Sequence, residues 1–218
     1  QTVSAKLVQA WSRNATRASA ATILVELTLG DEFTANYGAP AEIVVELVFN
    51  SVKSNLSRVE ATLYCQNKTA TRLPETAFMQ FTPNNAAAGA ELWEMQKLGQ
   101  WQLTNDTIEG GSKFIHAASA LRYAPGGSSK AINIASLDAP IVSLGEPTGY
   151  PVPCQNGTDG KMIPDPWRTE PDTQKYGVSS MLWSNLWGTN YVQWYPFNNN
   201  YENVPGEGNL VYEYSLNF

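Results

Sequence analysis

Period-two alternation of apolar and polar residues dominates this chain and commits it to strands, because only an extended backbone sends successive side chains to opposite faces. In residues 23–29, Ile23, Val25, Leu27 and Leu29 share one face. In residues 41–49, Ile43, Val45, Leu47 and Phe49 share one, with Glu42 and Glu46 opposite. Residues 58–65 repeat the pattern with Val59, Ala61, Leu63 and Cys65 inward. The final segment sets Leu210, Tyr212, Tyr214, Leu216 and Phe218 against Val211, Glu213, Ser215 and Asn217, which predicts a chain end paired into a sheet.

Shorter strands are expected in residues 77–81, 91–98, 113–117, 131–136 and 177–186, separated by turns at intervals that suit a sandwich. Helix is scarce, with residues 3–20 the one plausible segment and residues 86–90 a small-residue loop. Residues 144–176 form a long irregular excursion, because Pro147, Pro151, Pro153, Pro164, Pro166 and Pro171 deny it ladder hydrogen bonds. The expected fold is all-β: an antiparallel β-sandwich with long Pro/Gly-rich loops. Residues 1–218 are read as a single domain, with residues 1–37 as an N-terminal lead-in.

Hydrophobic residues at 43% against 16% charged supply a core and argue against disorder. A net charge of −6, with the basic residues scattered, offers no stripe to displace counterions from a phosphate backbone, so nucleic acid is not an expected partner. No window reaches the roughly 18 apolar residues that a membrane span needs. Gln1 at the chain start is read as a processed N-terminus.

Two features point to secretion. Asn14, Asn55, Asn67, Asn105 and Asn156 each open an Asn-x-Ser/Thr sequon, about twice the number that 18 asparagines would give by chance, and Asn55 and Asn156 fall in polar turn sequences. Cys65 and Cys154 are the only cysteines, an even count that suits one disulfide. Two buried free thiols are the alternative.

Catalytic groupings are sparse. His116 is the only histidine, lies in a strand sequence and reads as structural, and no serine sits in a Gly-x-Ser-x-Gly turn. Glycoside hydrolysis asks for two carboxylates flanking the scissile bond. Glu75, Glu91, Asp138 and Asp165 are available, but no spacing pairs them, and they read as surface or turn acids. Asp31 and Glu32 lack the alternating acidic loop of a calcium site. No catalytic residue, metal or cofactor is assigned. Residues 181–197 interleave three tryptophans and two tyrosines with Asn185, Asn190 and Gln193, a mixture that suits either aromatic core packing or a sugar platform. Trp187, Asn190, Tyr191 and Trp194 are the members to expect at a platform.

Several segments carry a family resemblance: Gly38-Ala39-Pro40-Ala41-Glu42-Ile43, then Asn67-Lys68-Thr69-Ala70-Thr71-Arg72-Leu73-Pro74-Glu75, then Leu137-Asp138-Ala139-Pro140, then Asn185-Leu186-Trp187-Gly188-Thr189-Asn190-Tyr191 with Trp194-Tyr195-Pro196-Phe197. In this order they resemble the C-terminal region of secreted fungal and plant proteins related to glycoside hydrolase family 38, the α-mannosidase-like proteins of unknown function. The likeness runs from about Gly38 onward and is most specific in Thr-Arg-Leu-Pro-Glu and Trp-Gly-Thr-Asn-Tyr. It implies a β-sandwich that follows a catalytic barrel, with the metal ligands and catalytic aspartates of the family in that upstream segment and none of them here. It also implies a supporting role for loops beside a substrate cleft, for which Arg72, Glu75, Asn190 and Tyr191 lie in the matching motifs. The expectation is a secreted, non-catalytic, carbohydrate-associated β domain, whole or as a processed fragment, with glycans and an upstream barrel as partners. A stand-alone secreted lectin, or a structural or defence glycoprotein, is the alternative.

Overall fold

The computed structural model describes residues 3–16, 20–52, 55–69, 71, 73–82, 93–106, 112–124, 131–149, 154–156, 162–164, 170–185 and 208–218. The chain opens with an antiparallel meander of β1 (Lys6–Arg13), β2 (Ala21–Thr28), β3 (Glu42–Val52) and β4 (Asn55–Gln66), with helix α1 (Asp31–Tyr37) between β2 and β3. It then alternates between two sheets through β5 (Glu75–Phe81), β6 (Trp93–Lys97), β7 (Gln100–Leu103), β8 (Ile115–Ala117), β9 (Ala120–Tyr123), β10 (Ile132–Ala135) and β11 (Ile141–Leu144). A small hairpin, β12 (Cys154–Asn156) with β13 (Met162–Pro164), and helix α2 (Thr173–Tyr176) precede β14 (Val178–Asn185) and β15 (Leu210–Asn217).

One sheet has nine strands in the order β1-β2-β3-β4-β15-β10-β9-β6-β7, the other four in the order β5-β14-β11-β8, and the pairings in both are antiparallel. The larger sheet is open, ending at β1 and β7, so the architecture is a sandwich and not a closed barrel.

The alternating sequences explain the packing. Ile43, Val45, Ala61, Leu63 and Cys65 of the large sheet share one core with Val142, Leu144, Val178, Leu182 and Trp183 of the small one. Tyr212 crosses the gap and donates its hydroxyl hydrogen to the Leu182 carbonyl at 2.8 Å, while the Tyr214 ring meets Phe81 edge-on at 5.4 Å between centroids. Met95, Leu144 and Val178 are fully buried, each worth about 1.5–3 kcal/mol of apolar transfer. Phe218, expected inward, lies half exposed at the chain end.

The expected helix over residues 3–20 is instead the edge strand β1, paired with β2 from Lys6 to Arg13 around a bulge at Val8. All eight residues of β1 are exposed, so no apolar stripe is buried that could have held a helix. Asp31 and Glu32, weighed above as calcium ligands, occupy the first turn of α1, where carboxylates suit the positive end of the helix dipole. Residues 144–176 contain a hairpin and a helical turn, and part of the excursion folds back on the small sheet: Thr148 N–H donates to Ser143 Oγ at 3.0 Å, and Gln80 and Thr82 donate to the Tyr176 carbonyl.

Candidate functional site

The most unusual grouping of polar side chains lies at the end of the sandwich where β4 turns toward β5. In β4 the inward positions run Val59, Ala61, Leu63, Cys65, and strict alternation would send residue 67 inward next. Asn67 instead adopts a left-handed backbone (φ 55°), its N–H donating to Asn209 Oδ1 at 2.9 Å, and Lys68 turns into the core. The Lys68 N–H donates to the Gly208 carbonyl at 2.8 Å.

The Lys68 side chain is wholly removed from solvent. Its ammonium lies 2.6 Å from a Glu75 carboxylate oxygen, donates to the carbonyls of Gly38 (3.1 Å) and Thr69 (3.2 Å), and sits 5.6 Å from the Trp183 ring centroid. Burial pulls the lysine pKa below its ordinary value, and the Glu75 carboxylate pulls it back up. Gly38 supplies the left-handed C-cap of α1 (φ 66°) and approaches so closely that a Cβ there would stand 2.6 Å from the Thr69 carbonyl oxygen.

The same cluster frames a further stretch of chain. Asn185, the last residue of β14, is the register partner of Glu75, and Gly208 takes the Lys68 N–H. Residues 186–207 therefore leave and rejoin the described structure beside Lys68.

The residues singled out from the sequence divide as follows. Glu75 is in the cluster. Arg72, Trp187, Asn190, Tyr191 and Trp194 lie outside the described residues, as do Glu91 and Asp165. Asp138 caps an open stretch of β15, its Oδ2 accepting the Glu213 N–H at 2.8 Å. Among the sequon asparagines, Asn14, Asn67 and Asn105 are exposed, while the side chains of Asn55 and Asn156 lie outside the described residues.

The expected Cys65–Cys154 bridge falls on a Cys154 side chain outside the described residues, and of the two only the Cys65 side chain is described. It is a free, fully buried thiol packed among the inward residues of β3, β4 and β15, and burial pushes its pKa up to about 12 against the pull of the Lys68 charge.

His116 is buried on β8, where its Nδ1 lies 2.9 Å from the Lys97 ammonium at the end of β6. Because an ammonium can only donate, Nδ1 accepts, and the imidazole is neutral in this contact. Burial first, and the Lys97 charge second, hold its pKa below the ordinary range, with the Lys113 carbonyl acting the other way. The contact joins a strand of the large sheet to an edge strand of the small one.

Lys68 was not singled out from the sequence. Its only signal is negative: a cation two residues past an alternating strand, where a turn can rotate it inward. With the Lys68 side chain fully enclosed, the Lys68–Glu75 pair holds chain segments together rather than presenting a nucleophile. Among the described residues, no group of three or more His, Cys, Asp or Glu side chains is placed to hold a metal ion, and no helix is long and apolar enough to cross a membrane. Comparison with protein-family models, curated proteins and solved structures gave no match for the chain.

Proposed function

We propose that the chain is a non-catalytic, carbohydrate-associated β domain of a secreted, N-glycosylated glycoside-hydrolase-like protein, related to the C-terminal region of the family 38-like proteins and working beside a catalytic segment outside these residues. The observation that carries this reading is the pairing of Glu75 with Asn185. Glu75, which closes Thr-Arg-Leu-Pro-Glu, stands opposite Asn185, from which the Trp-Gly-Thr-Asn-Tyr segment departs. Glu75 pairs with the buried Lys68, whose N–H donates to Gly208, where the described chain resumes. The described ends of two segments far apart in the chain, Glu75 and Asn185, thus sit side by side on the small sheet, which supports the reading of a domain that lends loops to a neighbouring cleft.

Native purification from the source organism tests this directly. A barrel fragment, or a longer chain containing one, should accompany these residues, and the isolated chain should not hydrolyse aryl-mannosides. A lone species of about 24 kDa that binds glycans would favour the stand-alone lectin instead, and one that binds none would leave a structural or defence glycoprotein.

A further inference from the structure

The outer face of the nine-stranded sheet carries a polar trough that neither the Lys68 cluster nor the inter-sheet core uses. β10 stays paired with β15 only from Asn133 to Ala135, after which residues 136–138 rise off the sheet and Asp138 takes the Glu213 N–H that β10 leaves open. The step leaves a cavity of about 390 Å³ between that loop and the Arg58–Glu60 ion pair of β4 (2.7 Å). Leu137, 93% exposed, stands at its rim.

Strand register shows what lies beyond the cavity. Glu60, Ser215, Ala135, Ala120, Gln96 and Trp101 form one cross-strand row spanning five interstrand steps, roughly 24 Å. The row is low in the middle and tall at both ends. At the far end the Arg122 guanidinium lies 4.5 Å from the Trp101 ring centroid and pairs with Glu94 at 2.5 Å, while Gln96 Oε1 accepts from the Ser119 hydroxyl at 3.0 Å.

Among the described residues each guanidinium of this face already holds a carboxylate, and Asp138 and Glu213 add acidic charge, so the described lining offers an anionic ligand no free positive charge. What remains is a set of fixed donors and acceptors around an aromatic ring, chemistry that matches the hydroxyls and C–H faces of an uncharged sugar. We propose that this trough binds a neutral oligosaccharide laid across the strands, with one end against Trp101 and the other in the cavity beside Asp138. The proposal rests on the carbohydrate-associated reading above and gives it a site among the described residues.

Calorimetric titration of the secreted full chain with mannotetraose, cellotetraose, laminaritetraose and tetragalacturonic acid tests it. At least one neutral tetrasaccharide should bind, and the acidic one should not. Trp101→Ala and Glu60→Gln should each weaken binding about tenfold or more. Ala120→Arg, which fills the trough without touching the core, should abolish it while leaving the circular dichroism spectrum unchanged. Failure of every neutral tetrasaccharide to bind, binding of the acidic one alone, or full binding by folded Ala120→Arg protein overturns the trough. The wider reading fails separately, if the unaltered chain is also silent on a broad glycan array.

Discussion

The Lys68 ammonium and the Glu75 carboxylate lie 2.6 Å apart, the lysine side chain fully enclosed and the glutamate side chain 22% exposed. Removing one charge from such a pair leaves the other facing an apolar interior. Lys68→Met should therefore cost about 3 kcal/mol in urea unfolding, while Lys68→Met combined with Glu75→Leu should recover much of that loss. A single Lys68→Met variant as stable as the parent would show that the pair does not hold this end of the sandwich.

Acid should loosen the fold through His116. The folded chain keeps the imidazole neutral below its ordinary pKa of 6.5, whereas the unfolded chain takes up a proton there. The contribution is thus present above about pH 6.5 and is lost as the pH falls through the lower folded value. Protonation would also set a second cation against the Lys97 ammonium. Unfolding free energies measured from pH 7 downward should fall, and His116→Gln should flatten that slope whatever its effect at neutral pH. An unchanged slope in the variant would remove His116 as the cause.

Cys65 gives the opposite sign at high pH. Its folded pKa, raised from 9.0 to about 12 by burial, makes a contribution that is full below pH 9 and lost as the pH rises toward 12. Tyr212 and Tyr214, also raised chiefly by burial, add losses of the same sign, so Cys65→Ala should reduce the alkaline loss without abolishing it. The thiol should also be silent to a thiol reagent in the native protein and react on unfolding without reductant. No reaction after unfolding would mean that Cys65 is bridged after all.

Gly38 and Gly99 separate backbone strain from steric clash. Both have positive φ, +66° and +81°, but a Cβ at Gly99 meets nothing within 4 Å, whereas one at Gly38 would lie 2.6 Å from the Thr69 oxygen and 2.7 Å from Thr71 Cγ2. Gly99→Ala should cost about 1–2 kcal/mol. Gly38→Ala should cost clearly more and lower the thermal midpoint further. Equal losses would mean that the loop at Thr69 gives way freely.

The long strands were legible in the sequence because each has one face in the core and one toward solvent, and that asymmetry writes a period of two. Ile43, Val45, Val59, Ala61, Leu63, Cys65, Tyr212 and Tyr214 are buried as their alternation implies. β1 was not legible, since an edge strand exposed on both faces has no burial pattern to record. β7, β9 and β11, four residues each, are too short to establish a period. At the site, Glu75 was picked out through its motif but its partner was not. The reversal at Asn67, a single left-handed residue, exchanges which side chain enters the core, and alternation alone cannot foresee that exchange.

Because Asn185 and Gly208 are fastened to Glu75 and Lys68, the 22 residues numbered 186–207 begin and end at one anchored point. For a loop whose closure is already fixed by the fold, added length raises the entropic cost only logarithmically, by about 0.6 kcal/mol per doubling. The sandwich can thus carry different inserts between these two residues with little change in its own stability. The chain can therefore differ in length between Asn185 and Gly208 while the Lys68–Glu75 clasp stays constant.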